Sequence, residues 1–240
     1  MAACARRSLL AVVLLATILA TGCNVLEVPF ILFGPEPTNP PEMKSLASPD
    51  KKKEVKVVVL AYAGSETRAE FINIDRELAY LVANNLREGF AYAKENVRVI
   101  PTKKVEKFKQ DHPNWKTMDL ASIGKRFDAD YVIYIEIDPH SLDLYEKGYG
   151  CYRGVADTTI TLVDVNDPDE GPMPKEMCFQ YPGEGKIAPE VNEIRPVQFR
   201  QMFAGYMAKK IAWCFVTHTV KAGYHQEIDA GQGEQTMQLR

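Results

Sequence analysis

The sequence predicts an α/β domain in which a mixed sheet of about five strands carries packed helices. Short runs rich in β-branched residues alternate with longer segments whose apolar residues recur at helical spacing. After the third of these runs, two strand-like segments follow each other across a loop dense in turn residues. The chain therefore predicts a β-α-β-α-β start, followed by an antiparallel hairpin and a C-terminal helix.

The first half of the domain supplies the alternating part of this pattern. Residues 55–60 are almost continuously apolar, which is typical of a strand buried on both faces. A helix capped by Asp75 is expected over 75–94, because apolar residues recur there every three or four positions. A short strand over 97–100 and a helix over 103–110 follow.

The second half of the domain begins with a helix that Thr117 or Asp119 is expected to cap. The later expected elements are a strand over 130–137, a strand over 151–165, a strand over 175–181 and a helix over 196–217. The fourth and fifth strands are separated by a loop rich in Asn, Asp, Pro and Gly, so we expect them to pair as a hairpin.

The amino terminus has the three zones of a secretory signal peptide, here residues 1–22. Arg6 and Arg7 give a positive start, an apolar run covers 9–20, and small residues precede Cys23. A membrane-spanning helix needs about 20 apolar residues, so this run is too short to be one. The segment after it is expected outside the cytoplasm.

The stretch Leu19-Ala20-Thr21-Gly22-Cys23 resembles the lipobox of bacterial lipoproteins. The resemblance implies that Cys23 carries a diacylglycerol, that the signal is cut just before it, and that the lipid anchors the protein to a membrane. The family usually has a branched aliphatic residue where Ala20 stands. A plain signal peptide with an incidental cysteine is the alternative. Asn24 is not aspartate, which favours the outer membrane over the inner membrane.

Three further segments are expected after the signal peptide. Residues 23–53 are predicted to be a lipidated cysteine and a Pro-rich extended tether, because six prolines disfavour regular structure there. The apolar stretch 28–33 inside it is expected to lie in the lipid surface beside the anchor. Residues 54–222 form the predicted periplasmic domain, and the polar tail 223–240 is expected to be disordered.

Charge and cysteine content exclude some classes of protein. The formal net charge is −3, and loss of Arg6 and Arg7 makes it about −5, without the concentrated basic face of a nucleic-acid binder. Cys151, Cys178 and Cys214 remain in an oxidising compartment, so at least one of them is free or pairs between chains. A bridge between Cys151 and Cys178 is possible, and Cys214 is expected to be buried.

The segment from Ile123 to Ile133, with Phe127-Asp128-Ala129-Asp130-Tyr131 at its centre, and the later strand Thr159 to Val165, resemble a known group. This is the periplasmic domain of curli-secretion lipoproteins, penicillin-binding-protein activator lipoproteins and the amino-terminal domain of TolB. The resemblance covers roughly residues 54–217 and implies the fold rather than a site. The connection 139–150 is too short for the pore-forming hairpins of the curli branch, so the non-pore relatives fit better.

No enzyme motif is found, and we expect neither catalytic residues, nor a metal site, nor a cofactor. The sequence lacks Gly-x-Ser-x-Gly, a phosphate-binding glycine loop and His-Glu-x-x-His. Its four histidines are scattered, and no Cys or His pair has metal spacing. Glu136 and Asp138 lie on one face of a predicted strand, where a solvated sheet edge is favoured over a catalytic pair.

A partner-binding surface is expected around Tyr145, Tyr149, Tyr152 and Arg153. Aromatic residues and arginine are enriched at protein interfaces, and these four cluster in and after a glycine-containing loop. Local packing of a hairpin explains them equally well.

The sequence therefore predicts a non-enzymatic, lipid-anchored envelope lipoprotein that binds an envelope protein in an assembly or regulatory role. The alternative is a subunit of an oligomeric outer-membrane secretion complex. A hydrolase with an unrecognised site is a third, weaker hypothesis.

Overall fold

A computed structural model of the chain describes residues 38–64, 66, 71–146, 148–167 and 169–219. The predicted signal peptide, Cys23, the apolar stretch 28–33 and the predicted tail 223–240 lie outside the described residues.

The described helices and strands follow one another in an order close to the predicted one. They are β1 Thr38–Asn39, β2 Val55–Ala63, α1 Ile74–Ala93, β3 Val97–Val99, α2 Thr102–Asp111, a 3₁₀ turn Trp115–Thr117, α3 Leu120–Arg126, β4 Tyr131–Ile137, β5 Asp143–Glu146, β6 Cys151–Asp164, β7 Met173–Tyr181, α4 Pro196–Trp213 and β8 His218–Thr219.

The main sheet has six strands and is mixed, which confirms the predicted fold class. Strand β2 lies between β3 and β4 and is parallel to both. The long strand β6 is antiparallel to β4 and β5 along one edge and to β7 along the other. The expected fourth and fifth strands therefore form a hairpin, and β5 is an additional strand that the sequence did not predict.

Helices cover the sheet from both sides and create two cores. On one face α1 and α4 pack together over β2, β4, β6 and β7. On the other face α2, the 3₁₀ turn and α3 cover a smaller area of β2, β4 and the end of β6. Buried side chains on α1 recur at the predicted spacing and are Ile74, Leu78, Ala79, Val82, Ala83, Leu86 and Phe90. The apolar face of this helix therefore explains its position.

The helix termini confirm one expected cap and correct another. Asp119 caps α3, because its Oδ2 accepts a hydrogen bond of 2.8 Å from the backbone N–H of Ser122. This bond holds the pKa of Asp119 below its ordinary value. Asp75 does not cap α1, since it lies inside the helix. Asn73 precedes the first turn in the left-handed conformation, with φ 62°, and its side chain makes no capping hydrogen bond. Asn tolerates that conformation better than most residues.

The compact domain begins earlier than the predicted Glu54, which corrects the expected tether. Thr38 and Asn39 pair with Thr219 and His218 in a small two-stranded sheet. Farther along, the backbone N–H of Met43 donates to Cys214 O at 2.9 Å. These contacts are tertiary, so the proline content did not reveal them.

The side chains of this early segment also belong to the domain. Leu46 is 1% exposed and belongs to the larger core. Glu42 makes an ion pair of 2.6 Å with Lys175 on β7. Residues 38–53 are therefore part of the folded unit, and of the expected tether only residues 24–37 precede the described chain.

The segment between α3 and β4 makes a close turn. Ala129 is buried against the smaller core, and Asp128 adopts a φ of 52°. Asp130 receives the backbone N–H of Lys56 on its Oδ2 at 2.8 Å and the side-chain amide of Asn166 on its Oδ1 at 2.9 Å. Its carboxylate thus joins β2, the start of β4 and the turn after β6.

Within the described part of the chain, no helix has the length and apolar character needed to cross a membrane.

Candidate functional site

An exposed apolar surface lies where the β5–β6 hairpin meets the loop before α4. Tyr149 is 75% exposed and Tyr145 is 39% exposed, and both belong to the hairpin. Val191, in the loop, is 45% exposed. Its backbone N–H donates to Gly150 O at 3.0 Å, which places it beside the hairpin turn. We call Tyr145, Tyr149 and Val191 the distal tip.

The local sequence explains why the hairpin turn presents its tyrosine outward. Gly148 and Gly150 have φ values of 86° and 63°, which a residue with a side chain rarely adopts. Tyr149 therefore stands at the apex between two glycines. A Cβ on either glycine would meet nothing within 4 Å, so the turn is open to solvent.

The loop on the other side of the distal tip is tied to β6 by its backbone. The N–H of Tyr152 donates to Pro189 O at 2.8 Å, and Cys151 forms an isolated antiparallel bridge with Glu190. The loop residue Val191 is therefore held next to Tyr149 by hydrogen bonds rather than by side-chain packing. Because these hydrogen bonds are not local in sequence, no sequence pattern indicates that Val191 belongs to this surface.

Tyr152 does not belong to the surface, which corrects its predicted role. It is 1% exposed, and its ring stacks on Phe199 of α4 with centroids 4.9 Å apart. Burial raises the pKa of its hydroxyl. Its place was available from the sequence, because Tyr152 has the same parity on β6 as Ala156 and Ile160, which face the larger core.

Arg153 supports the distal tip rather than forming its surface. Its Nε lies 3.1 Å from Glu146 Oε2, and one terminal nitrogen donates to Pro182 O at 3.2 Å. The side chain is only 21% exposed. It links the hairpin to the start of the loop, so the structure brings Tyr145, Tyr149 and Arg153 together in one region while it places Tyr152 beneath them.

The carboxyl end of β2 is where an open α/β sheet would usually bind a small ligand. Here Lys109 of α2 occupies that position. Its Nζ donates to Ala61 O at 3.1 Å and forms ion pairs with Glu106 at 3.2 Å and Asp75 at 3.4 Å. The ring of Trp115 lies 5.1 Å from the same ammonium. The polar groups at the carboxyl end of β2 are therefore bonded to one another.

An aromatic cluster borders this end of the sheet. Trp115 makes edge contacts with Tyr62 and Tyr134, each with centroids 6.3 Å apart. Lys116 donates to the Tyr62 hydroxyl at 3.1 Å. Burial, assisted by the charge of Glu136, raises the pKa of Tyr134 to about 12.

Glu136 and Asp138, weighed above as a carboxylate pair, have separate environments. Glu136 is exposed opposite Thr159 of β6. Asp138 caps a turn, because its Oδ1 accepts the backbone N–H of His140 at 2.9 Å. Both side chains are exposed, but β4 is a central strand that pairs with β2 on one side and β6 on the other, so the expected sheet edge is not found here. Elsewhere in the described ranges, no group of three or more His, Cys, Asp or Glu side chains is arranged to hold a metal ion.

The three cysteines are free, and two of them are too far apart to bridge. Cys178 pairs with Asp157 across the β6–β7 ladder, and Cys151 lies six residues away along β6. That separation is about 20 Å, whereas disulfide Cα atoms lie within about 7 Å. Cys214 is buried as expected, and burial raises the pKa of its thiol to about 11.

No family model matches this sequence, and no curated protein matches it. Solved structures with a similar course of the chain include a PelC dodecamer from Paraburkholderia phytofirmans, at 14% identity and a TM-score of 0.41, covering 75% of this chain and 99% of that one. Lipoprotein GNA1162 from Neisseria meningitidis has 16% identity and a TM-score of 0.39, with coverage of 66% and 98%. Protein XCC0632 from Xanthomonas campestris has 9% identity and a TM-score of 0.38, with coverage of 83% and 98%. At this level the likeness assigns no function.

Proposed function

We propose that this protein is a lipid-anchored envelope lipoprotein whose α/β domain docks another envelope protein through the distal tip. The observation that carries the proposal is Cys23, which follows a signal peptide directly and stands at the position of a lipobox cysteine. Two or more acyl chains hold a protein stably on a membrane, so lipidation at this residue determines where the domain works.

The start of the compact domain at Thr38 limits how far it can lie from the anchor. Residues 24–37 are the only chain between the lipidated cysteine and the domain. Fourteen residues span at most about 50 Å when fully extended. This is roughly half the reach of the longer tether that the proline content predicted, so the partner is expected close to the same membrane.

The distal tip supports a docking role, because its apolar side chains are exposed and concentrated. Tyrosine is among the residues that most often dominate binding energy at interfaces. Tyr149 and Val191 are held side by side by backbone hydrogen bonds, so little backbone freedom is lost when a partner covers them. Arg153 and Glu146 fix the base of the hairpin.

Binding is favoured over catalysis by the contacts of the polar groups at the strand ends. Lys109 forms ion pairs with both Asp75 and Glu106, and Asp138 is engaged in capping a turn. A catalytic acid has to face a substrate with a proton available to donate, and a catalytic base has to be free to accept one. We therefore infer a non-enzymatic protein without a resident cofactor.

Metabolic labelling with a radioactive fatty acid tests the anchor. Wild-type protein is expected to carry the label and to fractionate with membranes. The Cys23→Ala variant is expected to lose both properties. Absence of label from the wild type, or label that persists in the variant, would refute the lipoprotein assignment.

Photo-crosslinking in cells tests the distal tip. A photoreactive amino acid at position 149 is expected to give a discrete adduct with one envelope protein, and Val191→Ser is expected to reduce it. The matched control is position 80 on α1, since Tyr80 is also an exposed tyrosine, at 53%. An equal adduct from both positions, or no adduct from position 149, counts against docking through the tip.

A subunit of an oligomeric outer-membrane complex is the second candidate, and strand β7 favours it. Among the described strands, β7 pairs only with β6, so its other edge is available to a further strand. Unpaired edges are sites of strand addition between chains. Native mass spectrometry of detergent-extracted protein separates the two candidates: a monomer supports docking by a single domain, and a ring supports the complex.

A further inference from the structure

A group of five cations lies at the end of the domain where the described chain begins. Lys51, Lys52 and Lys53 are consecutive and exposed, and the exposed Lys94 and Arg98 stand two residues before and two residues after Asn96. The side-chain amide of Asn96 donates to Lys52 O at 3.4 Å, which links the lysines to the segment between α1 and β3. We call Lys51, Lys52, Lys53, Lys94 and Arg98 the basic patch.

The acidic groups near the basic patch are fewer, and two of them are already engaged. Asp50 accepts the backbone N–H of Lys52 on its Oδ1 at 3.0 Å. Glu54 lies 4.0 Å from Arg98. Glu95 has one carboxylate oxygen buried. The side chains of the three consecutive lysines have no ion-pair partner among the described residues, so their charges are available to an external anion.

The basic patch and the entry of the tether lie at the same end of the domain. Thr38 pairs with Thr219 in the sheet that follows α4. Val216 packs against the last turns of α1, since a Cβ on Gly89 would approach it to 2.9 Å. Helix α1 ends at Ala93, immediately before Lys94 and the Asn96 that contacts the lysines.

The acidic turn after β6 lies at this end too, but it is displaced across the sheet, away from β3. Asp164 and Glu170 face Lys44, at 3.6 and 2.9 Å. Strands β2 and β4 lie between β3 and β6, so Arg98 on β3 and the end of β6 are about 14 Å apart across the sheet. The end of the domain is therefore divided into a basic side and an acidic side.

We infer that the basic patch rests on anionic lipid headgroups. The domain then contacts the membrane surface with the end at which α1 finishes and β3 begins. The inference rests on the proposed lipid anchor, which brings this end of the domain within about 50 Å of the membrane through residues 24–37. Each lysine at an anionic surface strengthens binding about fivefold, so three give roughly a hundredfold. A lipid anchor combined with a basic patch is a stable two-signal arrangement.

This orientation places the distal tip away from the membrane. Strand β6 runs from Asp164, which faces Lys44 at the membrane end, to Cys151, which is bridged to the loop of the tip. Its fourteen residues span about 40 Å. The two surfaces are thus at opposite ends of one strand, and the membrane and a protein partner can be bound at the same time.

Lysine acetylation followed by mass spectrometry tests the inference on the lipidated, full-length mature protein. The protein is reconstituted into phosphatidylcholine vesicles and into vesicles containing about a third phosphatidylglycerol. Labelling of Lys51–Lys53 is expected to fall at least about fivefold in the anionic vesicles and to recover at high salt, where surface charges are screened. Lys186, in the loop near the distal tip, is the internal control and is expected to label equally in both.

A second variant makes the result specific to charge. The triple substitution Lys51→Gln, Lys52→Gln and Lys53→Gln is expected to abolish the protection of backbone amides 50–54 from hydrogen exchange in anionic vesicles. Equal labelling in both vesicles by a protein that stays vesicle-bound overturns the inference and leaves the lipid anchor intact. A wild-type protein that carries no lipid and does not float with vesicles overturns the proposed function and the inference together.

Discussion

Asp130 shows how one carboxylate determines the junction of three distant segments. Its side chain accepts the backbone N–H of Lys56 and the amide of Asn166, while its own N–H donates to Lys56 O at 2.8 Å. Substitution Asp130→Ala leaves the part-buried N–H of Lys56 without its partner. We expect the free energy of unfolding in urea to fall by about 1–3 kcal/mol.

Asp128 provides the control for this substitution. It pairs with the Lys56 side chain at an exposed site, so Asp128→Asn removes the charge and keeps a residue that tolerates positive φ. Its urea midpoint is expected to stay close to that of the wild type. If both variants unfold at the same urea concentration, the bonding role given to Asp130 is wrong.

The same substitution to alanine is expected to have opposite effects on stability at two helical glycines. A Cβ on Gly124 in α3 would clash with Val165 Cγ2 and lie 2.7 Å from Val132 Cγ2, whereas a Cβ on Gly205 in α4 would meet nothing within 4 Å. Gly124→Ala is therefore expected to destabilise by about 1–3 kcal/mol through overpacking. Gly205→Ala is expected to stabilise by about 0.5–1 kcal/mol through helix propensity. Thermal unfolding of both variants measures the difference, and a shift of the same sign in both would contradict it.

At this scale the sequence identified individual residues well where the environment is local. The Asp119 cap and the buried Cys214 were both expected, because a cap and an apolar run are visible over a few residues. Tyr152 was misplaced because its nearness to Tyr145 and Tyr149 in sequence outweighed the alternation along β6. Val191 was missed because a hydrogen bond across a loop carries no sequence signature.

At the scale of elements, residues 38–53 give the largest difference between expectation and structure. Prolines at positions 40, 41 and 49 argued for a free tether, and they do prevent regular structure. They do not prevent packing, because Leu46 enters the core and Met43 bonds to the segment after α4. A chain without helix or strand can still belong to a domain when one apolar side chain fills a core position.

Leu46→Ala tests this assignment. Truncation of a fully buried leucine is expected to lower the free energy of unfolding by about 2–5 kcal/mol, because it removes apolar contacts and leaves a cavity. Chemical denaturation followed by circular dichroism measures the change. Ile187→Ala, at a residue that is 95% exposed, is the control and is expected to be neutral. If Leu46→Ala leaves the free energy of unfolding unchanged, the assignment of residues 38–53 to the domain is wrong.

The regular elements were predictable from the sequence to within a few residues, since five strands and four helices appear in the expected order. Strand β5 was not, because four residues are too few to show a period of two. The last helix ends at Trp213 instead of Thr217, since the chain turns there to reach the pairing of β8 with β1.

At the scale of the whole molecule, the described domain has two ends with different chemistry. Thr38 and the basic patch lie at one end of the domain, and the exposed tyrosines lie at the opposite end of β6. The sequence predicted the lipidated cysteine and the exposed tyrosines independently of each other. Their relative position depends on the order of strands in the sheet, which a single sequence does not determine. The membership of the curli-secretion, penicillin-binding-protein activator and TolB group stays a prediction.

The central claim is that Cys23 becomes the lipidated first residue of the mature protein. Mass spectrometry of the amino-terminal peptide from membrane-extracted protein tests it most directly. We predict a mature chain that begins at Cys23 with a diacylglycerol joined to its sulfur by a thioether. A mature chain that begins at another residue, or an unmodified Cys23 in protein recovered from the aqueous fraction, would contradict the account.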